Sequence, residues 1–158
     1  MNRAKESSIN WVERRSPKGR FHVFRRNVTE AMGVRPDAGL AGGGHPFDLE
    51  LIRVPPGAAN FPFHSHGAQW ELYIIRSGSA ELRAGDTVTT VTAGDVFMSP
   101  PGEPHQMKNT GTEDLLYYVV ADNPPADFAH YPDSNKWLVK PPRKCFTMQE
   151  ADYYQGEE

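Results

Sequence analysis

The chain has 158 residues, with 17 Lys plus Arg against 20 Asp plus Glu and a formal net charge of −3, a length that suits one domain with a core of its own. Gly and Pro contribute 14 residues each, which favours many turns and excludes helical bundles and coiled coils. The longest apolar run, about Leu115 to Ala121, is too short for a membrane-spanning helix. The opening residues lack the apolar stretch of an export signal, so a cytoplasmic location is the expectation. Cys145 is the sole cysteine, which excludes an intrachain disulfide and a cysteine-only zinc site.

Residues 1–26 hold eight Lys or Arg and two Glu, a balance of +6, and the remainder of the chain stands at −9. Trp11, Phe21 and Phe24 lie in this basic stretch, but the acidic body behind it would repel a phosphate backbone. No nucleic-acid partner is therefore expected. Residues 1–44 read instead as an arm, partly flexible, that lies along an acidic body, its own or a partner's. Within it an ordered segment runs from Phe21 to Val28, a single helical turn covers Val28 to Gly33, and the four glycines between Gly39 and Gly44 mark a flexible connection.

From Phe47 the pattern has period two: Phe47, Leu49 and Leu51 alternate with Asp48 and Glu50, the signature of a half-buried strand with the apolar set turned inward. Further strands follow at Glu71 to Arg76, Ser79 to Arg83, Asp86 to Thr92, Val96 to Ser99, His105 to Asn109 and Leu115 to Ala121, separated by Gly- and Pro-bearing turns. This rhythm over 45–122 is that of an all-β barrel or sandwich. Leu115 to Val120 is apolar on both faces, which calls for one face in the core and the other under a terminal segment. Residues 123–158 are rich in Pro and aromatics and read as an extension packed on the barrel with little regular structure.

Three of the six histidines fall in two short segments. Side chains at i and i+2 leave the same face of a strand, so His64 and His66 can aim two imidazoles at one point. A turn at Gly67-Ala68 brings Glu71 alongside, and a separate strand supplies His105. Three imidazoles and one carboxylate suit a divalent first-row ion: Fe, Mn, Zn, Ni or Co.

The segment Gly57, His64, His66, Glu71 and Gly78 resembles the first motif of the cupin superfamily, with one additional residue between Gly57 and His64. Gly94, Pro100, Gly102, His105 and Asn109 match the second cupin motif without departure. The resemblance implies the cupin double-stranded β-helix, a jelly-roll barrel, with a metal held by His64, His66, Glu71 and His105. Less specific stretches, such as His45 to Asp48 and Tyr131 to Trp137, are similar to a group of bacterial single-barrel cupins. Pairing of two such barrels as a homodimer is a further expectation from the resemblance, since exposed sheet edges need cover.

Around the metal ligands, Tyr73 and Ile75 share a face with Glu71, and Met107 shares one with His105, so these are expected to line the cavity. Gln69, Phe63 and Arg53 complete the expected substrate pocket, with Phe61 and Met98 as further apolar walls and Arg53 offering a guanidinium to an anionic ligand. Tyr73 is the candidate for assisting proton transfer. The resemblance implies a metal-dependent reaction on a small oxygen-bearing molecule, with dioxygenase chemistry foremost and isomerase or lyase chemistry also represented among cupins of this size. The alternative is a noncatalytic small-molecule or sugar-binding module in which the metal is structural.

Overall fold

The computed structural model describes residues 2–34 and 44–158; the expected glycine-rich connection falls, except for Gly44, outside the described residues. The centre of the molecule is the antiparallel pair β3 (Phe47–Val54) and β10 (Leu115–Asp122), in register over eight residues, with Leu115 opposite Val54 and Asp122 opposite Phe47. On the far side of β10 lies β5 (Glu71–Ser77), and β8 (Val96–Ser99) forms the edge beyond it. On the far side of β3 the N-terminal strands β2 (His22–Asn27) and β1 (Val12–Arg15) complete a six-stranded sheet. The region expected to be an arm is thus built into the main sheet. The four-residue helix α1 (Val28–Ala31) follows β2 directly, and the Asn27 side chain accepts the Glu30 N–H as its N-cap, which satisfies one donor left over at a helix start.

A second sheet contains β6 (Ser79–Ala84) between β7 (Thr87–Thr92) and β9 (His105–Lys108). The two sheets enclose one apolar cluster: Ile52, Val54, Tyr73, Ile75, Leu115 and Tyr117 from the first, and Ala80, Leu82, Val91 and Met107 from the second. Each large side chain so buried contributes about 1.5–3 kcal/mol of transfer free energy. A third sheet runs β13 (Lys144–Phe146), β12 (Lys136–Lys140), β11 (Asp127–Tyr131), β4 (Ser65–His66). The C-terminal extension therefore carries three strands where little regular structure was expected. Their period is disguised because the buried positions of β11 are Asp127 and Ala129, one charged and one small.

The inward face of β3 is the opposite of the one its apolar alternation suggests. Ile52 and Val54 enter the core and Glu50 lines the cavity, while Leu51 and Arg53 point to the outer face, opposite Tyr118 and Leu116 of β10. That outer face is covered by the N-terminal residues. The Trp11 ring lies under the guanidinium groups of Arg26 (4.2 Å) and Arg53 (5.1 Å), and Arg53 also sits 4.2 Å over Phe24. Glu6 accepts hydrogen bonds from Arg26, Arg76 and the Tyr118 hydroxyl. Within the N-terminal region Arg26 is thus engaged by Trp11 and Glu6, which also bind Arg53 and Arg76 of the barrel, so that one sheet face lies in the core and the other under a terminal segment.

Candidate metal centre

His64 ends the loop that leads into β4, and its backbone pairs with that of His105 at the start of β9. The pairing carries the first histidine segment against the second. His66, two residues on, presents its ring on the same side, and Glu71 opens β5 after a turn whose Gly67 and Ala68 N–H groups donate to the Phe128 carbonyl and to Asp127 Oδ1, both at 2.8 Å. Ligand-capable atoms of His64, His66 and Glu71 all lie within 4.8 Å of one another. His105 adjoins them, with Nε2 2.9 Å from Glu71 Oε2, and its ring centroid is 4.8 Å from that of His64.

Each of the three imidazoles has its Nδ1 against an acceptor elsewhere in the protein. His64 Nδ1 is 2.8 Å from the Pro62 carbonyl, His105 Nδ1 is 3.2 Å from the Glu103 carbonyl, and His66 Nδ1 is 2.7 Å from Asp127 Oδ2. In a neutral ring an N–H at Nδ1 leaves Nε2 free to ligate, whereas His105 Nε2, 2.9 Å from the Glu71 carboxylate, must carry a proton to bond it. Burial lowers the His64 pKa to about 4, and the neighbouring His105 acts in the same direction. Burial on its own would raise the Glu71 carboxyl, but its hydrogen bond with His105 and the nearby imidazoles outweigh burial and hold it at about 2. One carboxylate and three imidazoles make a donor set suited to a divalent transition metal, and loading an ion there would release the proton that His105 shares with Glu71.

Tyr73 lies where the sequence places it, against the cluster. Its hydroxyl donates to Glu71 Oε2 at 2.8 Å and lies 3.1 Å from His105 Nε2. Burial first, and then the Glu71 charge, push its pKa up, so this hydroxyl holds its proton. The cavity outside the cluster has a volume of about 840 Å³ and is lined by Tyr73, Gln69 and Phe61 among others; the Gln69 amide is anchored on the Asp122 carbonyl at 2.6 Å.

The other expected pocket residues lie elsewhere. Ile75 and Met107 are packed inside the apolar cluster and do not form cavity wall. Phe63 is buried with the Arg83 guanidinium 3.5 Å from its ring centroid. Arg53 is on the outer face, because β3 turns its other side inward, and Met98 is 52% exposed. Their places in the cavity are taken by residues outside the two motif segments. Arg25 and Asn27 of β2 reach Glu50 of β3, with Arg25 Nε donating at 2.8 Å and Asn27 Nδ2 at 3.2 Å. Tyr131 of β11 stacks on the His64 ring at 5.7 Å and 21°, and Lys140 and Arg143 also line the cavity. Only the pairing of β2 and β11 with strands distant in sequence brings these residues in.

Antiparallel sheets around an apolar core, with a His/Glu cluster at a cavity, define the class as a β-barrel fold with a possible metal site. Residues 50–121, a little under half of the chain, match the cupin domain family. It is 32% identical over 69 residues to the oxalate-binding protein of Thermotoga maritima, a match covering 44% of this chain and 56% of the relative. Over 95 residues it is 28% identical to auxin-binding protein 1 of Arabidopsis thaliana, covering 54% of this chain and 47% of the relative. The chain thus spans about half the length of these curated relatives. Among solved structures, a sugar phosphate isomerase of the cupin superfamily from Silicibacter pomeroyi superposes with a TM-score of 0.71 at 23% identity, covering 87% of this chain and 85% of that one; this likeness shows the shared fold.

Proposed function

We propose that the protein holds a divalent transition metal through His64, His66, Glu71 and His105, takes a small oxygen-bearing molecule into the adjoining cavity, and acts as a metal-dependent oxidoreductase of the dioxygenase kind. The observation that carries the reading is the common orientation of the three imidazoles, each with Nδ1 on a protein acceptor, around an ionised Glu71. When bound, such an ion supplies Lewis-acid polarisation of a ligand oxygen and, if it is Fe or Mn, redox chemistry.

The chain's own residues then divide the remaining work. Tyr73 keeps its proton and steadies the Glu71 carboxylate from within the cavity wall. Lys140 and Arg143, which line the same cavity, favour an anionic oxygen group such as a carboxylate, and the name of the oxalate-binding relative supports that class. The aromatic rings of Phe61 and Tyr131 supply apolar contact that excludes water from the ligand.

A noncatalytic binding module is the second reading. It is favoured by the state of two acids along the cavity: Glu50 is engaged by Arg25 and Asn27, and Asp48 accepts from the Thr29 hydroxyl at 3.0 Å, so neither of these is poised as a general base. Oxygen uptake by protein loaded with iron separates the two. With a panel of small hydroxy acids, keto acids, thiols and phenols, the oxidoreductase reading predicts oxygen consumption coupled to loss of one compound. Binding of a compound with no oxygen uptake would assign the module instead.

The proposal includes association of two chains. On β5 and the edge strand β8 of the six-stranded sheet, Ile74, Val96 and Met98 expose apolar side chains, a strip that a second copy of the chain fits. Light scattering on the full chain is expected to give the mass of a dimer; a monomer at high protein concentration would contradict it.

A further inference from the structure

Asp127 stands five residues beyond the last barrel strand, outside both histidine segments and outside the residues that match the cupin domain. Its side chain is 2% exposed. One carboxylate oxygen, Oδ2, lies 2.7 Å from His66 Nδ1, and the other, Oδ1, accepts the Ala68 N–H at 2.8 Å. Lys140 Nζ from the neighbouring strand approaches Oδ2 at 3.9 Å. A buried carboxylate is costly unless its oxygens are satisfied, and here both are taken by groups of the β4–β5 segment that carries the ligand histidine.

We propose that Asp127 is a positioning residue of the metal centre: it fixes the His66 ring with its proton on Nδ1 and its Nε2 toward the ion, and thereby makes the C-terminal strand β11 part of the site. The inference rests on the metal reading above. The same strand supports it at a second point, because Ala129 pairs with His66 in the β4–β11 ladder and Tyr131 stacks on His64. The C-terminal extension thus holds two of the imidazoles from outside.

Both partners of Asp127 are donors, and both need an acceptor. An asparagine offers one oxygen and one NH2 group, so in Asp127→Asn either the Ala68 N–H or the His66 Nδ1–H meets a donor. If the amide NH2 faces the ring, His66 must accept at Nδ1 and carry its proton on Nε2, where it can no longer ligate. Loss of such a carboxylate partner weakens metal affinity by about 10–100-fold in other sites.

The test measures the affinity of the full chain and of Asp127→Asn for Zn2+ and Co2+ by competition with a chromophoric chelator, with thermal unfolding of the metal-free proteins run alongside. A folded D127N protein is expected to bind about 10–100-fold more weakly and to show a shifted Co2+ visible spectrum. Unchanged affinity and spectrum would overturn the inference. If the variant does not fold, nitrogen-15 NMR of the metal-free unsubstituted protein, at a pH where the rings are neutral, gives the answer independently of any ion. His66 is expected as the Nδ1–H tautomer, and an Nε2–H tautomer would refute the role given to Asp127. Failure of the unsubstituted protein to bind either ion, with the tautomer as expected, would instead refute the metal reading and leave Asp127 as an orienting residue without an ion to serve.

Discussion

Glu71 gathers the site at the scale of single residues. Its Oε2 is shared between the Tyr73 hydroxyl and His105 Nε2, and its Oε1 lies 3.8 Å from His66 Nε2. Tyr73 is 3% exposed and also stacks against Phe97 with ring centroids 4.9 Å apart, so Tyr73→Phe keeps the packing and removes only the donor. A hydrogen bond to a charged acceptor contributes about 1.5–3 kcal/mol. The variant is therefore expected to lose stability of about that size in urea unfolding while retaining metal, whereas loss of the metal with unchanged stability would place Tyr73 among the ligands. His64, His66 and Glu71 are legible in the sequence because i, i+2 spacing and a turn suffice to bring them together, and His105 through its place in the second cupin motif. Asp127 is not, because its partner His66 lies 61 residues away and only the pairing of β11 with β4 joins them.

Elements were read more easily than the direction they face. The strands of 45–122 fall close to where period-two alternation and the Gly-bearing turns put them, yet β3 turns inward the face opposite to the one its alternation predicts. Its apolar set, Phe47, Leu49 and Leu51, lies on the face where Leu51 and Arg53 meet the N-terminal strands. The inward set keeps Glu50 in place only because Arg25 and Asn27 of β2 satisfy it. A charged residue on an inward face hides the period unless its partner is known. That partnership also predicts the cost of breaking it: Glu50→Ala removes the acceptor shared by Arg25 and Asn27, and removing one member of a buried ion pair costs about 3–5 kcal/mol, here toward the lower end because the Arg25 side chain is 31% exposed. Calorimetry of the variant should show that loss, and a melting temperature within a degree or so of the parent would mean that β2 is held by the sheet alone.

For the whole molecule, the architecture ties both chain ends to one cavity, with β2 on one wall and the C-terminal sheet on another. The same burial sets its response to alkali. Burial raises the pKa of Tyr73, Tyr117 and Tyr131, and the hydrogen bond to Glu6 raises that of Tyr118, all above the ordinary value of 10.0. Groups whose folded pKa is raised contribute stability that is present below the unfolded pKa and lost as pH climbs through the folded one. Stability in urea is therefore expected to decline above pH 10.0, with these phenols ionising later than those of the unfolded chain. Ionisation of all six tyrosines near the ordinary value, with stability unchanged, would contradict the buried arrangement. Among the described residues no helix is long and apolar enough to cross a membrane.

The central claim is that imidazoles from two separate segments and one carboxylate hold a common ion. Elemental analysis of protein purified without added metal, beside His105→Ala, tests it most directly, because His105 comes from β9 and the other ligands from the segment around β4 and β5. About one transition-metal ion per chain is expected in the parent, with most of it lost from a folded H105A protein. A parent free of transition metal even after incubation with Fe2+, Mn2+ or Zn2+, or a variant that keeps the parent's full metal content, would contradict the account.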